Sequence, residues 1–103
     1  MIEVIYLSEV TKFLEKLKVD QVEQVATLVY NLATYGHLLR MPYSKPLGGG
    51  LFELRIRGKE EIRIFYCFKQ KTVFLLHAFK KQTQKTPQRE IEVALKRMEE
   101  LLT

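Results

Sequence analysis

Alternation of apolar and charged side chains between Leu51 and Phe79 constrains the fold of this chain more than any other feature. From Leu51 to Arg57, Phe52, Leu54 and Ile56 fall on one side and Glu53, Arg55 and Arg57 on the other. This is the two-residue period of a strand with one face on a core and the other toward water. A polar turn over Gly58 to Glu61 leads into a second strand, Ile62 to Phe68, whose apolar set is Ile62, Ile64, Tyr66 and Phe68. Arg63 then projects from the face that carries Arg55 and Arg57. After a turn at Lys69 to Thr72, Val73 to Phe79 is almost wholly apolar, as expected of a central strand covered on both faces. Placing Phe74, Leu76 and Ala78 in the core sends His77, Phe79 and Lys81 to the side of Arg55 and Arg63, a parity that one β-bulge would invert.

Helices flank this meander. Ile2 to Leu7 has the β-branched and aromatic content of a short strand. Ser8 is placed to cap a first helix with Val10, Phe13, Leu14 and Leu17 on one stripe. A break near Val19 precedes a second helix, for which Asp20 and Glu23 suggest a capping box and Gly36 the stop. Its apolar face is Val22, Val25, Ala26, Val29, Leu32 and Ala33. His37 to Gly50 is irregular and contains Pro42, Pro46 and three successive glycines. No Lys-Ser/Thr pair and no helix follow them, so they read as a flexible entry to the sheet and not as a phosphate loop. Thr86-Pro87 marks the start of a last helix striped by Ile91, Ala94, Leu95, Met98, Leu101 and Leu102. The fold class is therefore α+β, a helical hairpin on a small, mainly antiparallel sheet with a C-terminal helix, and residues 1–103 read as one domain.

Several functional classes are disfavoured. Cys67 is the sole cysteine, so no intrachain disulfide forms, and a reducing cytoplasm is the expected compartment. The start of the chain lacks the basic and apolar pattern of a signal peptide, and no run reaches membrane-spanning length. His37 and His77 are far apart without partners at ligand spacing, so neither a metal nor a cofactor is expected. His37, just past a helix stop, suits the dipole there and needs no catalytic role.

The net charge of +5 is concentrated unevenly. Between Arg55 and Lys85 lie Arg55, Arg57, Lys59, Arg63, Lys69, Lys71, Lys80, Lys81 and Lys85, opposed only by Glu60 and Glu61. Such a run is the footprint of a polyanion binder, with RNA or DNA the natural partner. Lysines in turns serve solubility equally well, whereas the pleat aims Arg55, Arg63 and Lys81 at one region. Cations gathered in this way suit cleavage of RNA by its own 2′-hydroxyl, because the protein then has only to align the nucleophile, stabilise phosphorane charge and move protons.

The motifs L-x-E-L-R (Leu51 to Arg55), R-I-x-Y (Arg63 to Tyr66), H-x-F-x-K (His77 to Lys81) and T-P-x-x-E-I (Thr86 to Ile91) occur in that order. Together they resemble the RelE/HigB toxin superfamily of bacterial toxin–antitoxin systems, in its phage-derived HigB/Tad-like branch. The resemblance covers the C-terminal half, and the N-terminal hairpin matches in kind only. It implies a ribosome-dependent endoribonuclease, an mRNA interferase that inhibits translation and is neutralised by a cognate antitoxin, often of helix-turn-helix type. Carried over by position, it places Arg55 and Arg63 in the site and matches the family's basic pair to Lys80 or Lys81. The expected catalytic residues are then Arg63, Lys81 and His77, and the expected RNA contacts Arg55, Lys80 and, as additions near the substrate, Lys85 and Phe79, the last stacking on a base. Several relatives carry a tyrosine or histidine proton carrier near the C-terminus. Neither residue type occurs here after His77, which leaves His77 or Lys81 as the proton-transfer group.

Two other readings remain open at this level. A ParE-like gyrase inhibitor has the same fold without a ribonuclease site, and a non-catalytic remnant would still bind an antitoxin or nucleic acid.

Overall fold

The computed structural model describes residues 1–103. Five strands form one sheet: β1 (Glu3–Tyr6), β2 (Ser44–Gly48), β3 (Leu51–Ile56), β4 (Glu61–Lys69) and β5 (Thr72–Lys81), in spatial order β1-β5-β4-β3-β2. β2 to β5 are antiparallel neighbours, and β1 lies parallel to β5 on its outer side. The first strand thus joins the sheet through a crossover that contains α1 (Ser8–Glu15) and α2 (Val19–Tyr35). The third helix, α3 (Gln88–Leu102), follows β5.

The sheet is covered on both faces. Against α1 and α2 lie Leu54, Ile56, Ile62, Ile64, Tyr66, Val73, Leu75 and Ala78, which meet Val10, Val25, Leu28, Val29 and Leu32. On the other face Leu51, Phe65, Cys67, Leu76 and Phe79 meet Ala94 and Met98 of α3. Burial pushes the Cys67 thiol above its ordinary range, in keeping with a packed, unreactive side chain.

The expected parity of the third strand fails in its first half. In the β4–β5 register Phe65 faces His77 but Tyr66 faces Leu75, so Leu76 is the extra residue of a bulge. Val73 and Leu75, not Phe74 and Leu76, share the α2-side core with Ala78. Beyond the bulge His77, Phe79 and Lys81 keep the expected face because they pair with Phe65, Arg63 and Glu61.

The stretch before β3 is also more regular than its composition suggests. Ser44 to Gly48 is a strand, and Gly48, Gly49 and Gly50 have φ of 97°, 63° and 90°. The glycines make the tight β2–β3 connection, a conformation that residues with a Cβ resist. Helix starts differ from expectation too. α2 begins at Val19, and its box runs from the Lys18 N–H to Gln21 Oε1 (3.1 Å), not between Asp20 and Glu23. Leu7 precedes α1, so Ser8 lies inside that helix. Val22, Ala26, Leu95 and Leu102, expected in the apolar stripes, are exposed, and Leu28 is buried instead.

Candidate functional site

At the end of the sheet that α3 leaves uncovered, β3, β4 and β5 present three cross-strand rows on one face. Arg55 pairs with Arg63 and Arg63 with Phe79, Glu61 pairs with Lys81, and Glu53 pairs with Phe65. The charged members open into a cleft of about 700 Å³ lined by Arg55, Arg57, Glu61, Arg63 and Lys81 and closed on one side by Gln82, Thr83 and Gln84. Four cations there face one carboxylate.

Arg63 is the anchor of this cleft. It does not stand out from the sheet: only 1% of its surface is exposed. Its Nη2 donates to Glu61, its Nη1 to the Ile62 carbonyl at 3.4 Å, and its Nε lies 3.8 Å from Glu53 Oε1. Arg55 Nε approaches the same Glu53 oxygen at 3.6 Å. Both distances are ion-pair contacts beyond hydrogen-bond length, and neither Nε has a hydrogen-bond acceptor.

Glu53 was expected to face water, yet its side chain is only 3% exposed. Two guanidinium groups flank it, and the Thr86 hydroxyl donates to its Oε2 at 2.8 Å. The start of α3 is therefore tied to the site in place of a Thr86 cap; Pro87 occupies the cap position, and its carbonyl accepts from the Glu90 N–H. Such a carboxylate holds the arginines in place from behind.

Glu61 is the half-exposed carboxylate of the cleft. It bonds Arg63 and lies 3.5 Å from Arg57 Nη1. The Arg63 hydrogen bond, reinforced by nearby positive charge, holds its carboxyl below the ordinary 4.5, so it is ionised at neutral pH. Lys81 Nζ donates to the carbonyls of Thr83 and Gln84, both at 2.7 Å, which folds the following loop over the ammonium.

The remaining residues singled out from sequence lie elsewhere. His77 is under α3, where Arg97 Nη1 donates to its Nδ1 at 3.2 Å and to the Leu76 carbonyl at 2.9 Å. A neutral ring then carries its proton on Nε2 and donates it to Glu90 Oε1 at 2.7 Å, so the imidazole joins α3 to β5 outside the cleft. Phe79 is 7% exposed and belongs to the α3-side core, where it lies against Phe65 and His77. Lys80 points to the opposite face and pairs with Glu60 at 3.2 Å. A hydrogen bond from Gln21, and then Lys80, lowers the Glu60 pKa. Lys85 is exposed in the loop beyond the cleft lining. His37 stacks on Phe68, with ring centroids 3.7 Å apart.

The structure thus brings Arg55, Arg63 and Lys81 together and adds Arg57, Glu61 and, behind them, Glu53. The signal for the two glutamates was available: Glu53 shares parity with Arg55, and Glu61 with Arg63. No group of three or more His, Cys, Asp or Glu side chains is arranged to hold a metal ion. No helix is long and apolar enough to cross a membrane.

The five-stranded sheet, with two helices on one face and a third on the other, has the RelE fold. The crystal structure of the isolated E. coli RelE toxin matches with a TM-score of 0.66 at 18% identity, over 95% of this chain and 99% of that one. The chain belongs to the family of phage derived Gp49-like proteins, whose model matches residues 12–99. Family and fold together place it in the RelE-like superfamily. No curated protein matches it in sequence.

Proposed function

We propose that this protein is the toxin of a toxin–antitoxin pair and acts in the cytoplasm as a ribosome-dependent mRNA endoribonuclease. The observation that carries this reading is the convergence of Arg55, Arg63 and Lys81 on one open cleft beside an ionised carboxylate. Cations at this density favour a phosphodiester, and the half-exposed Glu61 is the cleft group able to accept a proton from the 2′-hydroxyl. The 2′-oxygen then forms a bond to phosphorus while the bond to the 5′-oxygen breaks, leaving a cyclic phosphate and a free 5′-hydroxyl. Arg55 and Arg57 offset charge on the phosphorane oxygens, Arg63 behind them holds Glu61 in place, and the Lys81 ammonium supplies the proton to the departing oxygen. Neither His77 nor a metal is required by this scheme. Its active residues differ from those implied by motif position, because His77 and Phe79 serve packing.

The partner that neutralises such a toxin is a cognate antitoxin of helix-turn-helix type, with acidic side chains complementary to the cleft. Induction of the protein, with message ends and plasmid supercoiling followed together, tests the reading. Cut messages, unchanged supercoiling and rescue by a neighbouring antitoxin gene are expected. Intact messages with altered supercoiling would instead indicate a gyrase inhibitor.

A further inference from the structure

Arg55 and Arg57 line a second opening as well as the cationic cleft. It is a slot of about 340 Å³ between α2, the turn before β2 and β3, walled by Leu28, Pro42 and Ile56, with Tyr43 at its mouth. Tyr43 is 51% exposed, unusual for an aromatic ring that borders an apolar wall. The turn that carries it is fixed to β3, since the Arg55 N–H donates to the Tyr43 carbonyl at 2.8 Å and Arg55 Nη1 reaches Met41 Sδ at 3.4 Å. The α2 side of the slot presents the carboxamides of Gln24 and Asn31 and the Thr27 hydroxyl. Side-chain hydrogen bonds of α2 run from Gln21 and Thr34, which leaves those three polar groups unengaged.

We propose that this slot receives one nucleobase of the single-stranded RNA whose phosphates lie on the Arg55–Arg57 ridge. Charge fixes the class of ligand: a group entering the slot must continue from a chain that crosses two guanidiniums, which suits a polyanion with a flat, partly apolar branch at each unit. A nucleobase meets that requirement. It stacks on a tyrosine face, and its edge offers both donors and acceptors to carboxamides. The volume lies near the lower end of ligand sites, about 300–1,000 Å³, and so suits one ring system. The slot sets which base is preferred beside the cut, whereas the cleft acts on the phosphate.

This inference rests on the ribonuclease reading, and its test separates the two. Single-turnover cleavage is measured on ribosomes programmed with messages that differ only in the bases flanking the cut. Tyr43→Ala should slow cleavage roughly tenfold, the loss of one stacked base, and flatten the base preference. Thr27→Trp changes an exposed helix position and blocks the slot, so it should reproduce both effects with the Tyr43 ring still present. Wild-type rate and base preference in both folded variants would overturn the base-binding slot and leave the ribonuclease intact. Failure of the wild-type protein to cut any message would remove the ribonuclease reading and this inference with it.

Discussion

Replacing Arg63 by alanine should damage the fold as well as the site, because the guanidinium is buried against a buried carboxylate. Glu53 would lose the more deeply buried of its two guanidinium neighbours, Arg63 Nε at 3.8 Å, and keep only Arg55 Nε at 3.6 Å and the Thr86 hydroxyl at 2.8 Å. Breaking a buried ion pair by removing one partner costs about 3–5 kcal/mol. The two remaining contacts put this case at the lower end, about 3 kcal/mol, a large part of a typical stability of about 5–15 kcal/mol. With a urea m-value of about 1–3 kcal/mol per M, the unfolding midpoint should fall by about 1–3 M. Arg63→Lys retains a charge near Glu53 and should recover part of that loss, but it lacks the forked donors and should remain poor in cleavage. Urea titration followed by circular dichroism, beside single-turnover cleavage, resolves the two effects. An Arg63→Ala protein as stable as wild type would refute the account of Glu53 and Arg63 as a mutually dependent buried pair.

Three further outcomes follow from the same geometry. Glu61→Gln should lower single-turnover cleavage by about a hundredfold if the carboxylate accepts the 2′ proton, and wild-type turnover in a folded variant would exclude that role. Because the folded state lowers the Glu61 pKa, its stabilising contribution is present above the ordinary 4.5 and is lost as pH falls through the depressed value. The variant should therefore lose stability less steeply on the acid side, as read from urea midpoints across that range. Thr86→Val removes a hydrogen bond to a buried carboxylate and should cost about 2 kcal/mol in urea unfolding, whereas an unchanged midpoint would show that the Thr86–Glu53 bond contributes nothing. Lys81→Ala should cleave slowly even at saturating protein, while Lys80→Ala, on the opposite face, should cleave normally; the reverse pattern would exchange the roles of the two lysines.

The order of the helices and of every strand but β2, and the gathering of Arg55, Arg63 and Lys81, were legible in the sequence because they depend on local periodicity. Side chains two apart in a strand share a face whatever the rest of the chain does, so Arg55 and Arg63 needed only neighbouring antiparallel strands to meet. The motifs reached further and located the superfamily, since their order reflects an entire fold. Four matters needed the tertiary structure. The bulge at Leu76 reversed the parity of Phe74 and Leu76, and bulges leave no periodic signal in an apolar strand. The position of α3 decided which part of the basic face stayed open: it covered Phe79 and engaged His77, removing both from the cleft although they share its face with Lys81. The three glycines became a hairpin turn only because β2 found β3 as a partner. Burial of Glu53 depended on Thr86, 33 residues away, and on two arginines that close over it. Periodicity specifies the direction of a side chain relative to its own element, whereas burial and charge pairing depend on what long-range contacts bring against that face.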